Sequence, residues 1–126
     1  MIMRHLTEAR KQEIIAEVLA ARSNREQFLL SMKERQKEGL KVAKKCANFL
    51  KEKYGVRKVV LFGSLLNHEK MTTHSDIDLA VWDLPETDYF KALADLDYGH
   101  QFEVDLVEIQ NARPYILEAI HQGVEL

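Results

Sequence analysis

Residues 7–54 contain no proline and a single glycine, Gly39, and so long a run without backbone breakers confines the first half of the chain to helix. Lysine, glutamate and alanine dominate it, all good helix formers. Apolar residues recur at helical intervals: Ile14, Ile15, Val18 and Leu19, then Phe28, Leu29 and Met32, then Leu40, Ala43, Ala47 and Leu50. Ser23 and Asn24 have the chemistry of a break and a new N-cap, Gly39 that of a pause, and Tyr54 with Gly55 that of a stop. Two or three helices are therefore expected in an extension, residues 1–54, packed on or beside a core made by residues 55–126. The 126 residues fit one compact domain overall.

Past Gly55 the pattern changes to short runs rich in β-branched and aromatic residues at 57–62, 76–82 and 101–109, which read as three strands. Between the last two, residues 87–96 carry Phe90, Leu93 and Leu96 at helical spacing behind Pro85. Residues 114–121 open on Pro114 and present Ile116, Leu117 and Ile120, with Gly123 suited to the helix end and 124–126 left as a short tail. Strands alternating with helices predict an α/β (α+β) fold, a small mixed sheet flanked by helices. The two-residue period puts Ile77, Leu79 and Val81 on one face and Asp76 and Asp78 on the other. It likewise sets Phe102, Val104 and Leu106 against Glu103 and Asp105. With the apolar face under helices, Asp76, Asp78 and Asp105 are expected to gather on an open face.

Composition narrows the function. At 46% hydrophobic and 30% charged residues, with no apolar run of about 18 or more, the chain predicts a globular protein without a membrane span. Its first residues lack the basic, apolar and small-residue segments of a secretory signal, so a cytoplasmic location is expected. A formal charge of −2 offers no field for a polyanion, which argues against a nucleic-acid partner. Histidines 5, 68, 74, 100 and 121 lack close-paired ligand spacing, which disfavours zinc. Cys46, the one cysteine, reads as a small buried helical residue.

Asp-x-Asp in isolation describes any solvated strand face. Two in-phase aspartates with a third on another strand are different, because clustered carboxylates repel and raise one another's pKa unless a cation lies between them. Two Mg²⁺ ions about 4 Å apart in such a cluster can clamp the attacking and leaving oxygens of a phosphoryl displacement. Gly63 and Ser64 end the first strand, where backbone N–H groups and the Ser64 hydroxyl can approach phosphate oxygens unobstructed. Residues 65–75 then form a loop long enough to rise over a nucleotide. Asp76, Asp78 and Asp105 are the candidate catalytic and metal-ligating residues, and Gly63 and Ser64 the candidate cofactor-binding ones.

Gly63-Ser64, the Asp76-Ile77-Asp78 run inside Ser-Asp-Ile-Asp-Leu, and Asp105 in Val-Asp-Leu-Val together resemble the signature of the DNA polymerase β-like nucleotidyltransferase superfamily. Within it the chain is most similar to the minimal nucleotidyltransferases, small proteins often encoded beside a helical HEPN partner. The resemblance spans residues 56–126, including the closing Tyr115–Leu126 stretch. It implies that Asp76 and Asp78 ligate Mg²⁺, that Asp105 ligates one ion and helps deprotonate the acceptor hydroxyl, and that Gly63 and Ser64 hold the β- and γ-phosphates. It further implies ATP as donor and, as acceptor, a tyrosine of a HEPN toxin that the chain neutralises as antitoxin. Two departures stand out: eleven residues rather than ten separate Gly-Ser from Asp-x-Asp, and no arginine follows Ser64 in Leu65-Leu66-Asn67-His68. They keep two alternatives in view, an antitoxin that acts by binding alone and a transferase for a small molecule of the aminoglycoside type.

Lys70 and Glu103 read as solvated residues, Trp82 as core or strand-edge cover, and His74 as the histidine closest to the proposed site. Ile14, Ile15, Val18, Leu19, Phe28, Leu29 and Leu30 exceed what one small sheet needs as cover. They suit either intramolecular packing or a docking face for a partner or a second copy, a homo-oligomer through the N-terminal helices.

Overall fold

The computed structural model describes residues 7–126; His5 therefore lies outside the described residues. The chain divides into two compact units, Met1–Ser31 and Met32–Leu126.

One helix, α1 (Glu8–Tyr54), replaces the two or three expected. Ser23 and Asn24 do not break it, because each costs only about 0.5 kcal/mol relative to alanine in a helix, far below the roughly 3 kcal/mol of a proline. The Thr7 hydroxyl accepts the Arg10 N–H at 3.1 Å and caps the start. Gly39 causes no pause either. A Cβ there would come within 2.6 Å of Leu65 Cδ1 and 3.3 Å of the Phe102 ring, so the glycine serves close packing. Within the first unit Ile15, Val18, Leu19 and Leu30 are exposed.

The second unit holds a four-stranded sheet in the order β3-β2-β1-β4. Strand β1 (Lys58–Phe62) pairs antiparallel with β2 (Ile77–Trp82), and β2 pairs parallel with β3 (Val104–Glu108). The parallel pair requires a crossover, supplied by α2 (Tyr89–Leu96) behind a 3₁₀ turn at Glu86–Asp88. Helix α3 (Pro114–His121) runs as the sequence predicts, with its proline in the first turn. The short tail, for which no strand is expected from sequence, forms β4 (Val124–Glu125) on the free edge of β1. Leu126 N–H adds a 2.9 Å bond to Val59 O, and Lys51 Nζ donates to Leu126 O at 2.6 Å.

Val59, Leu61, Ile77, Leu79, Val81, Val104 and Leu106 make one buried sheet face, shut in with the inward residues of α1, from Met32 to Leu50, and of α2. Each fully buried side chain of this size contributes about 2 kcal/mol. The opposite face is not open along its length, as the alternation suggested. Val60, Phe62 and Ala80 on it are buried with Ile120 of α3, and half-buried Trp82, Ile116 and Ala119 pack against them. Only the end carrying Asp78 and Asp105 stays uncovered, because there the face turns from apolar to acidic. No described helix is long and apolar enough to cross a membrane.

Candidate active site

Parallel register sets Asp78 opposite Asp105, and antiparallel register sets Phe62, the residue before Gly63, opposite Asp78. The C-terminal end of β1 and the N-terminal ends of β2 and β3 thus meet at one end of the sheet. Asp76 and Asp78 are half-buried and Asp105 is exposed. Burial pushes the Asp78 carboxyl up to about 6, helped by the charges of Asp105 and Asp76 and a hydrogen bond with Asp105. Neighbouring like charges repel, so Asp78 holds its proton more tightly than a free carboxyl does. Among the described residues no three His, Cys, Asp or Glu side chains form a ready-made metal cage. The acids meet as a pair, Asp78 with Asp105, with Asp76 near enough to disturb Asp78.

Gly63 turns the chain out of β1 at φ +88, a conformation that a side chain rarely adopts, and a Cβ there would run into the Asp78 carboxyl. The glycine therefore lets backbone and aspartate lie against each other. Ser64 opens a 3₁₀ turn, Ser64–Leu66, and its hydroxyl donates to Ser75 Oγ at 3.1 Å. Ser75 Oγ also accepts the Thr72 N–H at 2.8 Å, closing the 65–75 loop directly before Asp76. All five candidate residues, Gly63, Ser64, Asp76, Asp78 and Asp105, thus belong to one end of the sheet.

Three residues that sequence reasoning did not place at the site hold this end together; two of them, Arg35 and Gln36, fall in the mixed-charge run 33–38, which reads as a solvated helix face. Ser75 is nearly buried and ties Ser64 to the acidic strand, a role its place beside Asp76 could have suggested. Gln36 Nε2 donates to Leu65 O at 2.9 Å, and Arg35 Nη2 donates to Ser75 O at 3.0 Å. Neither α1 residue gives a local signal in the sequence. His74 and Lys70 are exposed, as is Glu103. His100 is half-buried between Leu96 O and the Phe102 N–H. Cys46 is buried as expected, and burial pushes its thiol up to about 11. It lines a cavity of about 700 Å³ with Val42, Phe49, Leu96, Tyr98 and Phe102.

Comparison with known proteins bears on the fold and the family. The family model described as polymerase beta, nucleotidyltransferase, matches residues 44–126. A protein of Methanocaldococcus jannaschii named "Putative protein adenylyltransferase MJ0128" is 37% identical over 88 residues, covering 66% of this chain and 88% of the relative. Among solved structures, a toxin–antitoxin with AMP-PNP superposes with a TM-score of 0.54 at 23% identity, over 66% of this chain and 70% of that one. A mutant of the toxin–antitoxin MntA-HpeT in which a tyrosine is changed to alanine gives a TM-score of 0.52 at 27% identity, over 66% and 69%.

Proposed function

The chain belongs to the polymerase β nucleotidyltransferase family, and from that premise we propose that it transfers AMP from ATP, with Mg²⁺, to a tyrosine hydroxyl of a HEPN-type toxin and thereby acts as its antitoxin. Nucleotidyl transfer is the family's chemistry. The protein acceptor is supported by the name of the M. jannaschii relative, ATP by the neighbour solved with AMP-PNP, and the toxin partner by the toxin–antitoxin neighbours. The HEPN class and the tyrosine rest on the resemblance to minimal nucleotidyltransferases.

The observation that carries the reading is the Asp78–Asp105 register pair, with Asp76 beside it and the Gly63-Ser64 turn against Asp78. These acids fit Mg²⁺, which takes one or two carboxylates plus substrate phosphate oxygens rather than a full protein cage. Asp76 and Asp78 would hold the ions, with Asp105 completing one of them. Bound Mg²⁺ supplies charge neutralisation for the acids and the triphosphate. The Gly63 N–H and the Ser64 hydroxyl cradle the β- and γ-phosphates. Asp105, the exposed acid, takes the proton of the acceptor hydroxyl. The hydroxyl oxygen then bonds to the α-phosphorus, the bond from that phosphorus to the α,β-bridging oxygen breaks, and pyrophosphate leaves.

Incubation with the toxin, ATP labelled at the α-phosphate and Mg²⁺ should leave label on the toxin that survives denaturation. Replacing Asp76 and Asp78 together by Asn should abolish it while the circular dichroism spectrum is kept. Undiminished labelling by that double variant would refute the site assignment. The lack of an arginine after Ser64 favours a second reading, neutralisation by contact alone; it predicts full protection from the toxin without any label.

A further inference from the structure

Arg35 reaches from α1 to Ser75, the residue before Asp76, and among the described residues it forms no ion pair. Its Nη2 donates to Ser75 O, and its guanidinium carbon lies 4.4 Å from the centre of the Phe102 ring. Its Nε is buried with no hydrogen-bond partner, and among the described residues no carboxylate stands within ion-pair distance of it. An unpaired buried donor on a charged group is unfavourable, and a half-buried guanidinium without a counter-charge adds a desolvation cost. An anion arriving at this place would supply the missing counter-charge.

The place is specific. Ser75 O, which holds Arg35, belongs to the residue whose hydroxyl bonds Ser64 and whose peptide leads into Asp76. Arg35 is thus one residue removed from both the phosphate turn and the first aspartate. We propose that Arg35 binds the β- and γ-phosphates of the nucleotide donor, supplying from α1 the positive charge that the segment after Ser64 lacks. This rests on the donor reading given above. Arg35 lies outside the matched family segment, residues 44–126, so the family pattern says nothing of it. Stacking on Phe102 and the bond to Ser75 O fix the plane of the guanidinium, leaving its remaining Nη N–H groups for phosphate oxygens while Nε stays enclosed.

The test is calorimetric binding of ATP and of AMP, each with Mg²⁺, to the full chain and to Arg35→Gln and Arg35→Lys. A residue that only braces the loop would weaken both nucleotides together, whereas one that binds the outer phosphates affects ATP alone. Arg35→Gln should weaken ATP by roughly tenfold or more, the size of a lost charge-assisted hydrogen bond, and leave AMP unchanged. Arg35→Lys, which keeps the charge and the alkyl stem but not the fork, should fall between wild type and Arg35→Gln. If Arg35→Gln does not fold, Arg35→Lys decides by the same ATP-to-AMP ratio. A ratio equal to that of wild type in the folded variants overturns the proposal while leaving the donor reading standing. Failure of the wild-type chain to bind ATP overturns both.

Discussion

At Asp78 burial, two neighbouring acids and a shared hydrogen bond all push in one direction, and the carboxyl titrates near 6 rather than near 3.8. A carboxyl whose pKa is raised on folding contributes stability in full below the unfolded value, and that contribution is lost as pH rises through about 6. Metal-free protein therefore gives up stability at this residue between about pH 4 and pH 7. Asp78→Asn should melt higher than wild type at pH 8 without divalent cations, by about 1 kcal/mol or a few degrees once the half-exposure of the group is discounted. At pH 4 the difference should vanish. Thermal denaturation at the two pH values reads this directly, and an equal gap at both would contradict the electrostatic account. Both carboxylates and the Gly63-Ser64 turn were legible as residue types at a spacing. The exposure that separates Asp105 from Asp78 was not, since it depends on which strand lies at the sheet edge.

Among the elements, α3 was legible to its last residue because Pro114 and an apolar stripe mark it locally. Helix α1 was misjudged because its weak signals, Ser23, Asn24 and Gly39, were read as punctuation. The first two lie within an otherwise favourable run, and Gly39 answers to Leu65 and Phe102, far away in sequence. This sets up a contest of magnitudes. Gly39→Ala gains up to about 1 kcal/mol of helix propensity, yet forcing a methyl against fully buried Leu65 costs about 1–3 kcal/mol. The variant should be less stable by about 1 kcal/mol in urea denaturation. A gain in stability would mean that Leu65 can shift freely. The strand β4 escaped notice for a similar reason: Val124–Glu125 is too short to show a period, and only the free edge of β1 recruits it.

On the scale of the whole molecule, every buried apolar residue among the described residues and every candidate site residue lies in Met32–Leu126, while Met1–Ser31 exposes Ile15, Val18, Leu19 and Leu30. A chain starting at Met32 should keep a cooperative melt and its ATP affinity and lose capture of the toxin. Pull-down and calorimetry on the shortened chain check both halves of that statement. Loss of the cooperative melt would show that the first unit is needed for folding.

What the sequence determined by itself was local: helix and strand periods, the apolar and acidic faces, and the residue types able to hold phosphate and metal. These follow from the covalent order of side chains along a helix or strand. What only the tertiary structure decided was which distant segments meet. The pairing of Asp78 with Asp105, the cover of α3 over half of the acidic face, and the arrival of Arg35 beside Ser75 all depend on contacts between residues far apart in the chain. Sheet register and helix docking are settled by burial of the whole core at once, and no window of sequence contains that sum.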